Sequence, residues 1–262
     1  MNLPFLKQSL GALLILCTSS AANALHVMLD PGHGGVDTGA VYSGAKEADL
    51  VLKVAQKLQV LLENDDQFTV SMTRTNDRNL GLPERVKLAE SSKVDLFVSL
   101  HANAAADQRA KGVEFFFQNN LPPDEDALFL ASQENQMVLN RRELQEISGG
   151  DELSKKGDVA AIVEDLQRQS RMNSSLRLTQ TLTQVWERDS SAAQATIKQA
   201  PFYVISKTTM PSVLIEIGFL TNPKEVKKLV SANYQSDLAQ KIYNALQSYK
   251  EKMDNHNAKT LN

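Results

Sequence analysis

Cysteine is almost missing from this sequence, with one residue, Cys17, in a chain of 262. That excludes a disulfide framework and leaves little room for thiol chemistry. Histidine is scarce too: there are four, so the position of each carries information. Charge of one sign is lacking, because 28 basic and 31 acidic residues leave a formal net charge of -3. No excess of positive charge suggests a nucleic-acid partner. What is present, 42% apolar and 23% charged residues, excludes disorder and a multi-span membrane protein and fits a globular domain.

The N-terminus reads Met1-Asn2-Leu3-Pro4-Phe5-Leu6-Lys7, then an apolar run from Leu10 to Cys17, then Ala22-Asn23-Ala24. A positive start, a short apolar core and an A-x-A site form the pattern of a secretory signal peptide over residues 1–24. The run is too short to span a bilayer. Leu16, preceding Cys17, disfavours a lipoprotein. Cleavage after Ala24 would take the cysteine with it and leave an exported protein with no lasting membrane anchor.

Beyond Ala24 the pattern predicts strands over Leu25–Asp30, Phe68–Thr73, Val94–Leu100, Gly112–Phe117, Phe202–Ile205 and Val213–Ile217. Helical spacing predicts helices over Ala45–Glu63, Leu82–Ser91, Pro223–Val230 and Gln235–Lys250. Asp124–Ser190 reads as helical and polar, broken at Ser148-Gly149-Gly150. Strands alternating with helices give one α/β domain, residues 25–250, around a mostly parallel sheet. The helical block, about residues 120–200, interrupts it as an insertion, either packed helices or a segment covering the site. Glu251–Asn262 is a polar tail expected to fray.

In an open α/β sheet, ligands bind beyond the carboxyl ends of the strands. Three predicted strands end in Asp30-Pro31-Gly32-His33-Gly34-Gly35, Ser99-Leu100-His101-Ala102-Asn103 and Ile215-Glu216-Ile217-Gly218. Glu47 opens the first helix. Two histidines, a carboxylate and a water make a catalytic zinc site, and His33, Glu47 and His101 supply that set. Zinc would bring its water to a pKa of roughly 7, and Glu216 could serve as general base and then acid. Each residue alone has a plainer reading: a structural histidine, a first-turn carboxylate, a turn. His26 and His256 look incidental.

The segments LDPGHGGVDTGA, GAKEADLVL, TVSMTRTNDRNLGLPERVKLAESSKVDLFVSLHANA, KGVEFFF and MPSVLIEIGFLTNPKE resemble, in order, the signatures of zinc-dependent N-acetylmuramoyl-L-alanine amidases of the amidase-3 type. The resemblance runs from about Val27 to Tyr249. It implies a three-layer α/β/α fold with a central sheet of about six strands. It implies Zn2+ on His33, Glu47 and His101, with Glu216 as the catalytic carboxylate. Asn103 is implied as a substrate contact or a support for the ligands. The implied reaction cuts the amide between N-acetylmuramic acid and the L-alanine of the stem peptide in peptidoglycan. The helical block is similar to that of Gram-negative cell-division amidases, where a helix glutamate caps the zinc until a LytM-type activator protein releases it. Glu134, in Leu130-Ala131-Ser132-Gln133-Glu134-Asn135, is the candidate plug, with Glu143 and Glu146 as rivals or all three as plain helix surface. The expected setting is the periplasm, in wall remodelling and daughter-cell separation. Unlike many such amidases, the sequence shows no wall-targeting domain before the catalytic one, and the tail is too short for a binding repeat.

Rival readings remain. Ser43-x-x-Lys46, with Lys207-Thr208-Thr209 and Ser231-Ala232-Asn233, has the spacing of a penicillin-sensitive carboxypeptidase, but the chain order is not the usual one. A non-catalytic wall-binding protein would have little reason to keep Glu216. A zinc exopeptidase would share the metal chemistry.

Overall fold

The computed structural model describes residues 24–136, 158–189 and 193–260. Six strands form the central sheet: β1 (Leu25–Pro31), β4 (Phe68–Met72), β5 (Leu96–Asn103), β6 (Val113–Phe117), β7 (Ala195–Gln199) and β8 (Ser212–Phe219). Their order is β4-β1-β5-β8-β6-β7, every pair parallel except β6 with β8. A two-residue hairpin, β2 (Val41–Tyr42) with β3 (Ala45–Lys46), stands apart from it. Every residue of β5 and β8 is buried, the mark of strands covered on both faces. That is why VDLFVSL and SVLIEIGF are nearly continuous apolar runs rather than alternating ones.

Helices α1 (Glu47–Glu63), α4 (Asp158–Glu187) and α7 (Ala232–Thr260) cover one face. Residues of α1 at helical spacing, Val51, Val54, Ala55, Leu58 and Leu62, join Val27, Leu29, Val98 and Ile215 in its core. Trp186 of α4 meets Phe115 edge to face at 5.2 Å. The other face carries α2 (Leu82–Ser91), α3 (Glu125–Gln136) and α5 (Tyr203–Ser206) over Met28, Phe97, Phe116 and Leu214. Phe116 packs on Phe202 there at 5.1 Å, each buried phenyl contributing roughly 1.5–3 kcal/mol. Helix α6 (Pro223–Leu229) follows β8, its first turn capped by the Asn222 side chain, which accepts from Lys224 N and Glu225 N. The expected three-layer α/β/α architecture with six strands is therefore present.

Three expectations are corrected. Phe202–Ile205 is not a strand but the short helix α5. The Asn135 side chain explains this: it accepts from Tyr203 N at 2.8 Å and donates to Pro201 O at 2.9 Å, taking groups a ladder would need. The sixth strand is instead β7, just after the block read as helical. Residues after Lys250 do not fray at once; α7 continues to Thr260, with Lys250 paired to Asp254 one turn on and Lys252 bonded to Thr181 on α4. The helical block also divides by role. The C-terminal half of α4 is core, through Leu178, Leu182 and Trp186, whereas α3 overlies the strand ends. Nearly all of the expected signal peptide, together with Glu143 and Glu146, lies outside the described residues. Among the described residues no helix is long and apolar enough to cross a membrane.

Candidate metal centre and catalytic cavity

The carboxyl ends of β1, β5 and β8 bring the predicted residues to one place. His33 lies two residues past the end of β1, His101 within β5, and Glu216 within β8 directly beside His101 in register. Glu47 is the first residue of α1 and reaches back under the loop that carries His33. One oxygen, Glu47 Oε1, is 3.1 Å from His33 Nε2 and 3.1 Å from His101 Nδ1. The Glu134 carboxylate, from α3, comes to 3.6 Å and 3.8 Å of the same two nitrogens. His33, His101 and Glu134 thus form a group able to hold a metal ion.

The supporting bonds fix each candidate ligand atom. Asp37 takes His33 Nδ1 with both oxygens, at 3.1 and 3.0 Å, which fixes the ring with Nε2 turned toward Glu47. Glu47 Oε1 also accepts from Ala102 N, and Oε2 accepts from Ala40 N, both at 2.9 Å. Burial pushes the Glu47 carboxyl up, but the two imidazoles outweigh it and hold the group ionised, well below the usual carboxylate range. Burial likewise opposes a charge on His33, yet Glu47, Asp37 and Glu134 raise its pKa to about 11. Burial raises Glu134 as well, with Glu47 and Asp37 adding to it against the pull of the two imidazoles.

Glu216 has a different character. It is fully buried, and its Oε2 has no hydrogen-bond partner among the described residues. Burial, and then the neighbouring carboxylates Glu47, Glu134 and Glu114, push its pKa well up and favour its protonated form. It lines a cavity of about 450 Å³ with His33, Glu47, Asn103, Gln133 and Glu134. Asn103 donates from Nδ2 to Glu114 at 3.0 Å and touches no ligand directly. Ser43 is exposed at the hairpin tip, and neither it nor Lys46 lines this cavity. His26 bonds Ser71 at 2.9 Å, away from the cavity.

Comparison with known proteins gives the family. The family model described as N-acetylmuramoyl-L-alanine amidase matches residues 27–248. The chain belongs to that family. It is 31% identical to the AmiA amidase of Salmonella typhimurium, over 89% of this chain and 79% of that protein. It is also 31% identical to the AmiC amidase of Escherichia coli O6:H1, but spans only 52% of that protein's length, about half. Among solved structures, the amidase of Clostridium difficile 630 superposes with a TM-score of 0.60 at 27% identity, covering 87% of this chain and 98% of that one. The CwlV catalytic domain from Bacillus (Paenibacillus) polymyxa gives 0.61 at 26%, with the same coverage.

Several working parts of this amidase were missed in the sequence. His33 has a left-handed backbone, φ 58, a strained state for a non-glycine residue. Two buried arginines hold the loop in that state. Arg85 donates to His33 O at 2.7 Å and to Pro31 O at 2.8 Å, and pairs with Asp30 at 2.7 Å. Arg74 donates to Pro31 O, Gly32 O and Ala48 O at 2.9, 2.7 and 2.8 Å. Their signal was present in T-R-T-N-D-R and P-E-R: arginines beside apolar strands and helices, where a buried guanidinium needs several acceptors. Asp37 was readable too, four residues after His33. Gly32 is required by contact: a Cβ there would fall 2.4–2.5 Å from the His101 ring.

Proposed function

We propose that this chain is a zinc-dependent N-acetylmuramoyl-L-alanine amidase, exported by a signal peptide over residues 1–24, with its catalytic domain over 25–250. The observation that carries the metal is His33 Nε2. It is buried and stands 3.1 Å from Glu47 Oε1, yet no hydrogen bond joins them, and it has no other such partner among the described residues. A buried ring nitrogen without an aligned partner is an atom that a bound cation would satisfy. Once the proton on His33 Nε2 is released to a binding cation, two imidazoles and an ionised carboxylate are a donor set suited to Zn2+.

Bound there by His33, Glu47 and His101, zinc would polarise the scissile carbonyl and make water nucleophilic near neutral pH. The remaining steps belong to the chain. Glu216 Oε2, buried and unpaired, is the proton-handling atom: it accepts a proton as water attacks the lactyl carbonyl and returns it to the departing L-alanine nitrogen. Metal charge beside it would lower its pKa from the raised metal-free state and ready it as the base. Asp37 and the Ala102 and Ala40 amides keep the ligands from turning. Asn103 positions Glu114 and the cavity wall.

Glu134 supports a closed state. Its carboxylate stands within reach of both histidines, so α3 would cap the metal and exclude substrate until the helix moves. One solved relative, the CwlD amidase of Clostridioides difficile, is described in complex with the GerS lipoprotein. For this chain the releasing partner is a LytM-type activator, and the setting is periplasmic wall remodelling and daughter-cell separation. Digestion of purified sacculi tests the activity. Free stem peptides beginning with L-alanine, lost on chelation and restored by zinc, are expected; fragments cut inside the peptide would overturn the reading.

A further inference from the structure

A second cavity, of about 560 Å³, opens beside the first. The two share Asn103, Ala104, Leu130 and Gln133, so they adjoin beside α3. Its wall includes Glu114 and Phe116 of β6 and Lys198 of the edge strand β7. Glu114 is paired in register with Glu216, and Glu216 with His101. At ~4.8 Å per strand, Glu114 therefore lies about 10 Å across the sheet from His101. Lys198 Nζ reaches back to Glu114 Oε1 at 2.8 Å, and sits 6.0 Å from the Phe116 ring. The other Glu114 oxygen accepts from Asn103 Nδ2 at 3.0 Å. Lys198 is the sole cation among the residues that line this cavity.

We infer that Glu114 and Lys198 form a subsite for the third residue of the stem peptide, selecting a residue whose side chain ends in a free ammonium and a free carboxylate on one carbon. The inference rests on the amidase reading. An extended peptide advances ~3.3–3.6 Å per residue, so the third residue from the cut amide lies about 10 Å away, at this pair. Desolvation offsets much of the attraction in a half-buried ion pair, so such a pair adds little to stability. It does present opposite charges side by side on a cavity wall. A zwitterionic end satisfies both at once: its carboxylate meets Lys198 and its ammonium meets Glu114. A side chain ending in an ammonium alone would leave Lys198 to compete for the same carboxylate. An inward lysine on an edge strand can also guard against edge pairing, but that role would not depend on substrate.

The test uses the zinc-loaded full chain and two synthetic N-acetylmuramoyl-tripeptides, with meso-diaminopimelate or L-lysine in third place. Both are measured again in Glu134→Ala, so that a closed α3 does not hide the difference. The diaminopimelyl substrate should be preferred on the order of tenfold, mainly through KM. Lys198→Met should erase that preference by weakening the diaminopimelyl substrate alone, Lys198→Arg should keep it, and Glu114→Gln should weaken both. Equal KM values in the unaltered chain, or equal losses for both substrates in Lys198→Met, would overturn the subsite. Failure to cut either would count against the amidase reading itself. The subsite is then decided by calorimetry with the two free tripeptides, where the same preference is expected and equal affinity would refute it.

Discussion

The Glu134 carboxylate, carried on α3, stands 3.6 Å from His33 Nε2, carried on the loop after β1. Removing the carboxylate should free the cavity without loosening the core, because the apolar contacts of α3 run through Ala127 and Ala131. Glu134→Ala should therefore raise basal release of stem peptide, about tenfold where the cap is worth ~1.4 kcal/mol. Wall-hydrolysis assays without any added partner check this; unchanged basal turnover would place the cap elsewhere.

Glu216→Gln keeps the shape of the buried side chain but cannot cycle a proton. The expected loss is about 10²–10⁴ in kcat. Zinc stoichiometry should stay unaltered, since Glu216 is not among the proposed ligands. Loss of the metal in this variant would move Glu216 from proton transfer to coordination.

Gly32→Ala tests how tightly the loop is fitted to the metal centre. A methyl group at 2.4–2.5 Å from the His101 ring must push the imidazole or the loop aside. Overpacking of this kind costs about 1–3 kcal/mol. Zinc affinity should fall by more than stability alone predicts, because His101 Nδ1 moves. Calorimetric titration with zinc beside a thermal melt separates the two.

How much of this was legible beforehand varies with the physics involved. That His33, Glu47, His101 and Glu216 meet was readable because each sits at or just past a strand end or opens a helix, where α/β sheets gather side chains. Buried strands announced themselves as apolar runs. The edge strand β7 did not, since Ala-Thr-Ile-Lys-Gln is only half-buried and too short to show a period. Phe202–Ile205 misled for the related reason that four apolar residues fit helix and strand alike. Asn135, from a distant helix, settles that segment. Likewise, no local pattern reveals that Arg85 ends on His33 O; only folding brings them together.

Acid stability should depend on Asp30. Burial alone would raise its carboxyl, but Arg85, Thr73 and Ser99 together hold it below the ordinary 3.8. A depressed carboxylate stabilises the fold at pH above its unfolded value and loses that contribution as pH falls through the folded one. Melting temperature should therefore drop below about pH 4, and Asp30→Asn should flatten that part of the profile. The variant should also lose about 3–5 kcal/mol, because it leaves the Arg85 charge buried without its partner. Thermal melts and urea unfolding across pH 3–7 check the two.

The most direct measurement is a crystal structure of the zinc-loaded protein with anomalous scattering recorded across the zinc edge. One ion per chain touching His33 Nε2, His101 Nδ1 and the Glu47 carboxylate is the predicted result. No ion at that point, or an ion held by other side chains, would contradict the account.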